Sequence, residues 1–103
     1  MLLGIAANAQ ANPKAPPGSS SSAAERGISL ASKGRCREAL PVLKKASAET
    51  TNRDLKYDVL MSMARCAIGL EQSETAVRIL LELNRSYGKD PEVLYLTTHY
   101  LRS

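Results

Sequence analysis

The chain contains no tryptophan and no phenylalanine, and its only aromatic side chains besides His99 are four tyrosines. A core must therefore come from Leu, Ile, Val, Met and Ala. It has one histidine and two cysteines, Cys36 and Cys66. That inventory falls short of a four-ligand zinc site, and no C-x-x-C pair is present for redox exchange. Neither cysteine has a histidine near it in sequence, so a nucleophilic thiol would need a base supplied by the fold. No paired carboxylates, serine triad or phosphate-cradling glycine loop can be assembled. Accordingly no catalytic residue, metal ligand or cofactor site is assigned, and the chain reads as a non-enzyme. No run reaches the roughly 18 apolar residues of a spanning helix, so no membrane span is expected. A dense basic stripe is also missing. The net charge is +4 with a pI near 9.3, but charges of both signs alternate and the longest basic run is Lys44-Lys45. The tyrosines are not interleaved with basic residues as a base-stacking surface requires. No nucleic-acid partner is expected.

What is present begins with an unusual N-terminus, "MLLGIAANAQANPKAPPGSSSS". A short apolar run is followed by Ala9-Gln10-Ala11, the small-residue pattern of a signal-peptidase site. Residues 1–11 are read as a partial export signal, although no Lys or Arg precedes the run, and residues 12–22 as a disordered Pro/Ser-rich linker. A bland Ala-rich terminus is the competing reading. Export implies a periplasmic or secreted protein in an oxidising compartment; without it the chain is cytoplasmic.

From Ser19 on the boundary signals are helical, and no strand pattern competes. Ser22 to Glu25 fits a capping box, opening a helix with Ile28, Leu30 and Ala31 that stops at Gly34. A second helix starts near Cys36 and buries Ala39, Leu40, Leu43 and Ala46, with Pro41 predicting an irregular start. Thr51 or Asn52 caps a third, carrying Leu60, Met63, Ala64 and Ala67 and ending at Gly69. Ser73 caps a fourth, with Ala76, Ile79, Leu80 and Leu83 on one face and Gly88 at its end. Asp90-Pro91 starts a fifth, with Val93, Leu96 and Tyr100 on its apolar side.

These helices repeat. Ala39, Leu43 and Ala46 align with Ala76, Leu80 and Leu83 at an offset of about 37 residues, and Ala67 aligns with Tyr100 at about 33; helix pairs at such periods mark an α-solenoid. The first unit shows Gly27, Leu30, Gly34, "REAL" at residues 37–40, Leu43 and Ala46. The second shows Met63, Ala64, Ala67, "ETAV" at residues 74–77, Leu80 and Leu83. A third opens with "DPEVLYLTTHYL" from Asp90. At these residues the chain resembles a tetratricopeptide repeat protein. It departs from the pattern in lacking the first-helix Trp and in carrying Glu71 where unit two expects glycine. A five-helix bundle and other helical-hairpin repeats are the alternatives. The resemblance implies an all-α, right-handed α-solenoid of antiparallel helix pairs over residues 23–103, about two and a half units.

The resemblance also implies a concave groove lined by the first helix of each unit. Register places Ala24, Ile28, Ala31 and Ser32 there from unit one, Asp58, Met61, Arg65 and Ile68 from unit two, and Leu94, Thr98, Leu101 and Arg102 from unit three. Arg65 and Arg102 would take a partner's carboxylates. A merely solvated helix face is the plain alternative at each of these positions. The expected partner is a protein or peptide, held by a non-enzymatic scaffold. The competing expectations are a docking segment of a larger envelope enzyme or secretion component, and self-association through the uncovered fifth helix. Cys36 and Cys66 stand equally far on either side of Thr51, the centre of the loop between helices two and three. In an antiparallel hairpin they lie at the same height, with Cα atoms roughly 4–5.5 Å apart. A disulfide is expected, against buried free thiols or a reactive thiol activated by the neighbouring arginines.

Overall fold

A computed structural model describes the backbone of residues 15–102 and the side chains of residues 22–102. The expected export signal over 1–11 lies outside the described residues. Five helices are present among them: α1 Ala15–Ser32, α2 Cys36–Glu49, α3 Arg53–Gly69, α4 Ser73–Tyr87 and α5 Pro91–Arg102. Each packs on its neighbour in sequence, and α1 also packs on α3, so the hairpin α1–α2 stacks on the hairpin α3–α4. A closed five-helix bundle would need an extensive interface between α1 and α5, and the described residues form none.

The helix ends carry most of the differences from expectation. α1 begins at Ala15 rather than at the Ser22–Glu25 capping box. Pro16 and Pro17 stand in its first turn, where backbone N–H groups have no intrahelical acceptor and proline costs nothing. At the other end Gly34 has φ +80°; its N–H donates to the Ala31 carbonyl, and Arg35 N–H donates to Leu30. This is the paired reversal that a glycine after a helix permits. Arg35 then precedes α2 with φ −96° and ψ 59° and no side-chain cap. The irregular start expected from Pro41 is not seen: Pro41 stands inside α2, and Ala39 N–H donates normally to the Arg35 carbonyl at 2.9 Å. α3 is capped as expected, with Leu55 N–H donating to Asn52 Oδ1 at 2.9 Å. The cap of α4 is Gln72, not Ser73. The turn before it requires Gln72 N–H to donate to Ala67 and the Gln72 carbonyl to accept from Ala76, which places Ser73 inside the helix.

That turn repeats the Gly34 geometry with a glutamate in the strained position. Glu71 has φ +60° and donates its N–H to Ile68. Gly69 is the last helical residue, but the reversal falls on Glu71. An L-residue in the left-handed region costs about 1–2 kcal/mol, offset in part by the larger unfolded-state entropy of glycine. Glu71→Gly is therefore expected to stabilise the protein by about 0.5–1 kcal/mol, read as a higher urea midpoint at unchanged slope. An unchanged or lower midpoint contradicts the strain.

The core follows the helical stripes where a helix has one partner side. α2 buries Ala39, Leu40, Leu43 and Ala46, and α4 buries Ala76, Ile79, Leu80 and Leu83, as the periodicity predicts. α3 is covered by α1, α2 and α4, so Val59, Met61 and Cys66 are buried in addition to the expected Leu60, Met63, Ala64 and Ala67. In α1 the fully buried side chain is Ala24, while Ile28, Leu30 and Ala31 are half-buried. Gly27 lets α1 approach α2 closely: a Cβ there would lie 2.7 Å from Leu43 Cδ2. α5 buries Val93 and half-buries Leu96 and Tyr100, leaving Leu94, Tyr95 and Leu101 exposed.

Candidate functional site

The stacking of α1 against α3, with α5 following, leaves a cleft of about 390 Å³ on one side of the molecule. α1 contributes Ile28, Ala31 and Ser32 from its last two turns. α3 runs along it with Tyr57, Asp58, Met61, Ser62 and Arg65, and α5 closes one end with Glu92. The Cys36–Cys66 pair completes the lining. Asp58, Met61 and Arg65 follow the i, i+3, i+7 spacing that puts residues on one helix face. The wall is thus apolar in the middle and charged towards both ends.

Of the groove residues expected from register, Ile28, Ala31, Ser32, Asp58, Met61 and Arg65 meet in this cleft. The others do not join them. Ala24 is 0% exposed and lies in the core, beneath any surface a partner could touch. Ile68 is half-buried outside the cleft, and Leu94 and Leu101 are exposed elsewhere on α5. Thr98 and Arg102 line a separate shallow depression with Tyr95 and His99, whose rings stack at 5.7 Å. The α5 register is displaced because that helix is positioned by contacts at its first turn, and these bring Glu92 rather than Leu94 to the cleft. Tyr57, Ser62 and Glu92 were missed by register and belong to the site.

The first-turn contacts begin with Asp90. Its Oδ1 accepts from Glu92 N–H at 2.8 Å, from Val93 N–H at 3.2 Å and from the Tyr57 hydroxyl at 3.0 Å. One carboxylate oxygen therefore caps α5 and ties it to α3. The Tyr57 ring meets Tyr87 edge-on at 5.2 Å. Tyr87 in turn donates its hydroxyl to the Arg53 carbonyl at 2.9 Å, and the Arg53 guanidinium lies 4.4 Å from its ring centroid. Asn84 adds a bond from α4 to Thr97 Oγ1 at 2.8 Å. The outcome is a defined place for Glu92, whose Oε2 is 3.0 Å from Arg65 Nη2. Arg65 was expected to await a partner's carboxylate; it is paired within the chain. Asp58 is exposed and makes no hydrogen bond or ion pair among the described residues.

Burial, and then the Asp90 carboxylate beside it, push the Tyr57 hydroxyl up to about 12. An unfolded tyrosine ionises near 10. The folded state thus holds a proton that the unfolded state releases. This stabilisation is whole below about pH 10 and is lost as the pH rises to about 12. Tyr57→Phe keeps the ring contact and removes the hydroxyl. It is expected to cost about 1 kcal/mol at neutral pH and to flatten the loss of stability between about pH 10 and 12. Urea unfolding of both proteins across that range is the measurement, and parallel curves contradict the assignment.

The Cys36 and Cys66 sulfurs lie 2.06 Å apart, at bonding distance, with Cα atoms 5.1 Å apart. That separation falls inside the range expected from the hairpin. Cys66 is buried and Cys36 half-buried. Of the arginines beside Cys36, Arg35 is paired with Glu38 at 2.9 Å. Among the described residues no three His, Cys, Asp or Glu side chains converge as metal ligands, and no helix is long and apolar enough to cross a membrane.

Compared with known proteins, residues 30–100 match a family model described as tetratricopeptide repeat. No curated protein matches the chain, and no solved structure does.

Proposed function

The chain belongs to the tetratricopeptide repeat family, whose members are typically non-enzymatic and generally mediate protein–protein interaction, and from that premise we propose that it is a scaffold capturing a peptide segment in the cleft between α1, α3 and α5. The observation that carries this reading is the composition of the cleft. Ile28, Ala31 and Met61 offer apolar wall, and Ser32, Asp58, Ser62, Arg65 and Glu92 surround it with hydrogen-bonding groups. Such a mixture suits a short extended or helical segment, whose apolar side chains lose water while its polar groups stay paired. The surface is preorganised: Asp90 holds α5, and the cysteine pair holds the start of α2 against the end of α3. Preorganisation reduces the ordering cost of binding.

Export to an oxidising compartment belongs to the same proposal. The A-x-A tripeptide at Ala9 to Ala11 supports it, as does a cysteine pair at bonding distance, since disulfides persist outside the reducing cytosol.

The test is selection of displayed peptides against the full chain, followed by amide-shift mapping of a selected peptide. Shifts are expected to centre on residues 28–32, 58–65 and 92. Shifts confined to the outer faces of α2 and α4 overturn the assignment of the cleft.

A further inference from the structure

The charges of the cleft are not those of the chain. The whole sequence carries +4, which by itself favours an acidic partner. In the cleft the charged groups are Asp58, Arg65 and Glu92, and Arg65 is already neutralised by Glu92 at 3.0 Å. What remains is the Asp58 carboxylate, exposed and without a partner among the described residues. We propose that the cleft selects a basic segment, with the lysine or arginine of a partner peptide paired to Asp58 and a neighbouring aliphatic side chain laid against Ile28 and Ala31, over the buried Met61. This rests on the peptide-capture reading above and gives the partner its chemistry.

The spacing along α3 makes the two halves compatible. Asp58 and Arg65 are seven residues apart, about 10 Å along the helix axis, with Met61 between them. A cation seated on Asp58 is therefore about a Debye length from the Arg65 guanidinium and is little opposed by it. The wider positive charge of the chain is screened over the same distance. An acidic segment meets the reverse situation. It faces the Asp58 carboxylate, and meets in Arg65 a cation whose charge Glu92 already offsets. Like charges brought together in this way count against the wrong partner as much as the pair counts for the right one.

The probes are three peptides, acetylated and amidated at their ends, Ala-Leu-X-Leu-Ala with X as Lys, Gln or Glu. They are titrated into the full chain with amide shifts as readout. An exposed ion pair is worth up to about 1 kcal/mol, or about fivefold in affinity. The Lys peptide is expected to bind up to about fivefold more tightly than the Gln peptide, with the Glu peptide weakest. The Lys advantage should shrink as salt is raised. Asp58→Asn removes the difference between Lys and Gln, and Asp58→Lys inverts the order. Asp58 makes no contact that supports the fold, so the unfolding midpoint of Asp58→Asn stays at the wild-type value and loss of discrimination is not loss of structure. If all three peptides shift the cleft amides with equal affinity, or the Glu peptide binds best, peptide capture stands and the basic preference is overturned. If none of them shifts the cleft amides while a peptide selected by display does not either, the capture reading falls and takes the inference with it.

Discussion

Replacing both cysteines, Cys36→Ala with Cys66→Ala, is expected to lower the unfolding free energy by about 3–4 kcal/mol. The two residues are 30 apart in sequence. Closing a loop of that length removes about 3–4 kcal/mol worth of conformational freedom from the unfolded chain in the entropic model. Native protein prepared without reductant should show no free thiol, and adding reductant should move its denaturation curve onto that of the double variant. Two free thiols in the native protein, or a curve indifferent to reductant, contradict the bond. The effect is large on the scale of the molecule. About 80 residues in stacked hairpins bury a limited core, and the net stability of a domain this size is on the order of 4–12 kcal/mol. The bond ties the first residue of α2 to the last turn of α3, which also border the cleft. Its loss should therefore weaken peptide binding as well as stability.

Leu43→Ala is expected to have an effect of similar size for a different reason. Leu43 is 0% exposed, and its Cδ2 lies where a Cβ on Gly27 would be 2.7 Å away. It therefore fills the contact between α1 and α2 directly. Truncating a buried leucine costs about 2–5 kcal/mol, more where the surroundings cannot collapse into the gap. Here the gap faces the backbone of a glycine, with no side chain on that residue to move in, so a cost of about 3–4 kcal/mol is expected. Guanidinium unfolding with intrinsic ellipticity as the signal measures it. A loss below about 1 kcal/mol would mean that α1 does not pack as described. Combined with the cysteine replacements, the two losses should roughly add, because Leu43 stands about two helical turns from Cys36 along α2. The combined loss of about 6–8 kcal/mol is comparable to the whole stability of a domain this size, so the combined variant is expected to be marginally folded at best.

What was legible in the sequence was what depends on neighbours along the chain. α2 and α4 each present one stripe to the core, so Ala39, Leu40, Leu43 and Ala46 on α2, and Ala76, Ile79, Leu80 and Leu83 on α4, could be read from spacing alone. The cap at Asn52 and the start at Asp90-Pro91 are local hydrogen-bond chemistry and were equally visible. The cysteine pairing was visible because a hairpin of two helices has a symmetric register about its loop. The repeat was visible because stacked units bury the same positions at a fixed period.

Tertiary structure decided the rest. α3 is enclosed by α1, α2 and α4, so its burial exceeds any single stripe, and Ala24 belongs to the core rather than to the groove. The reversal at Glu71 falls on a residue type that does not favour a positive φ; the repeat pattern marked the position as one where glycine is expected, but only the structure shows that the glutamate adopts it. The decisive contacts of the cleft, Tyr57 with Asp90 and Arg65 with Glu92, join residues 33 and 27 positions apart. No local pattern encodes them, because they arise from how one repeat leans on the next. α5 is set so that Glu92 lines the cleft and Leu94 does not. The sequence by itself determined a stack of helical hairpins with a groove. The packing between repeats decided which charges in that groove are satisfied: Arg65 is paired with Glu92 and the Asp58 carboxylate is left exposed.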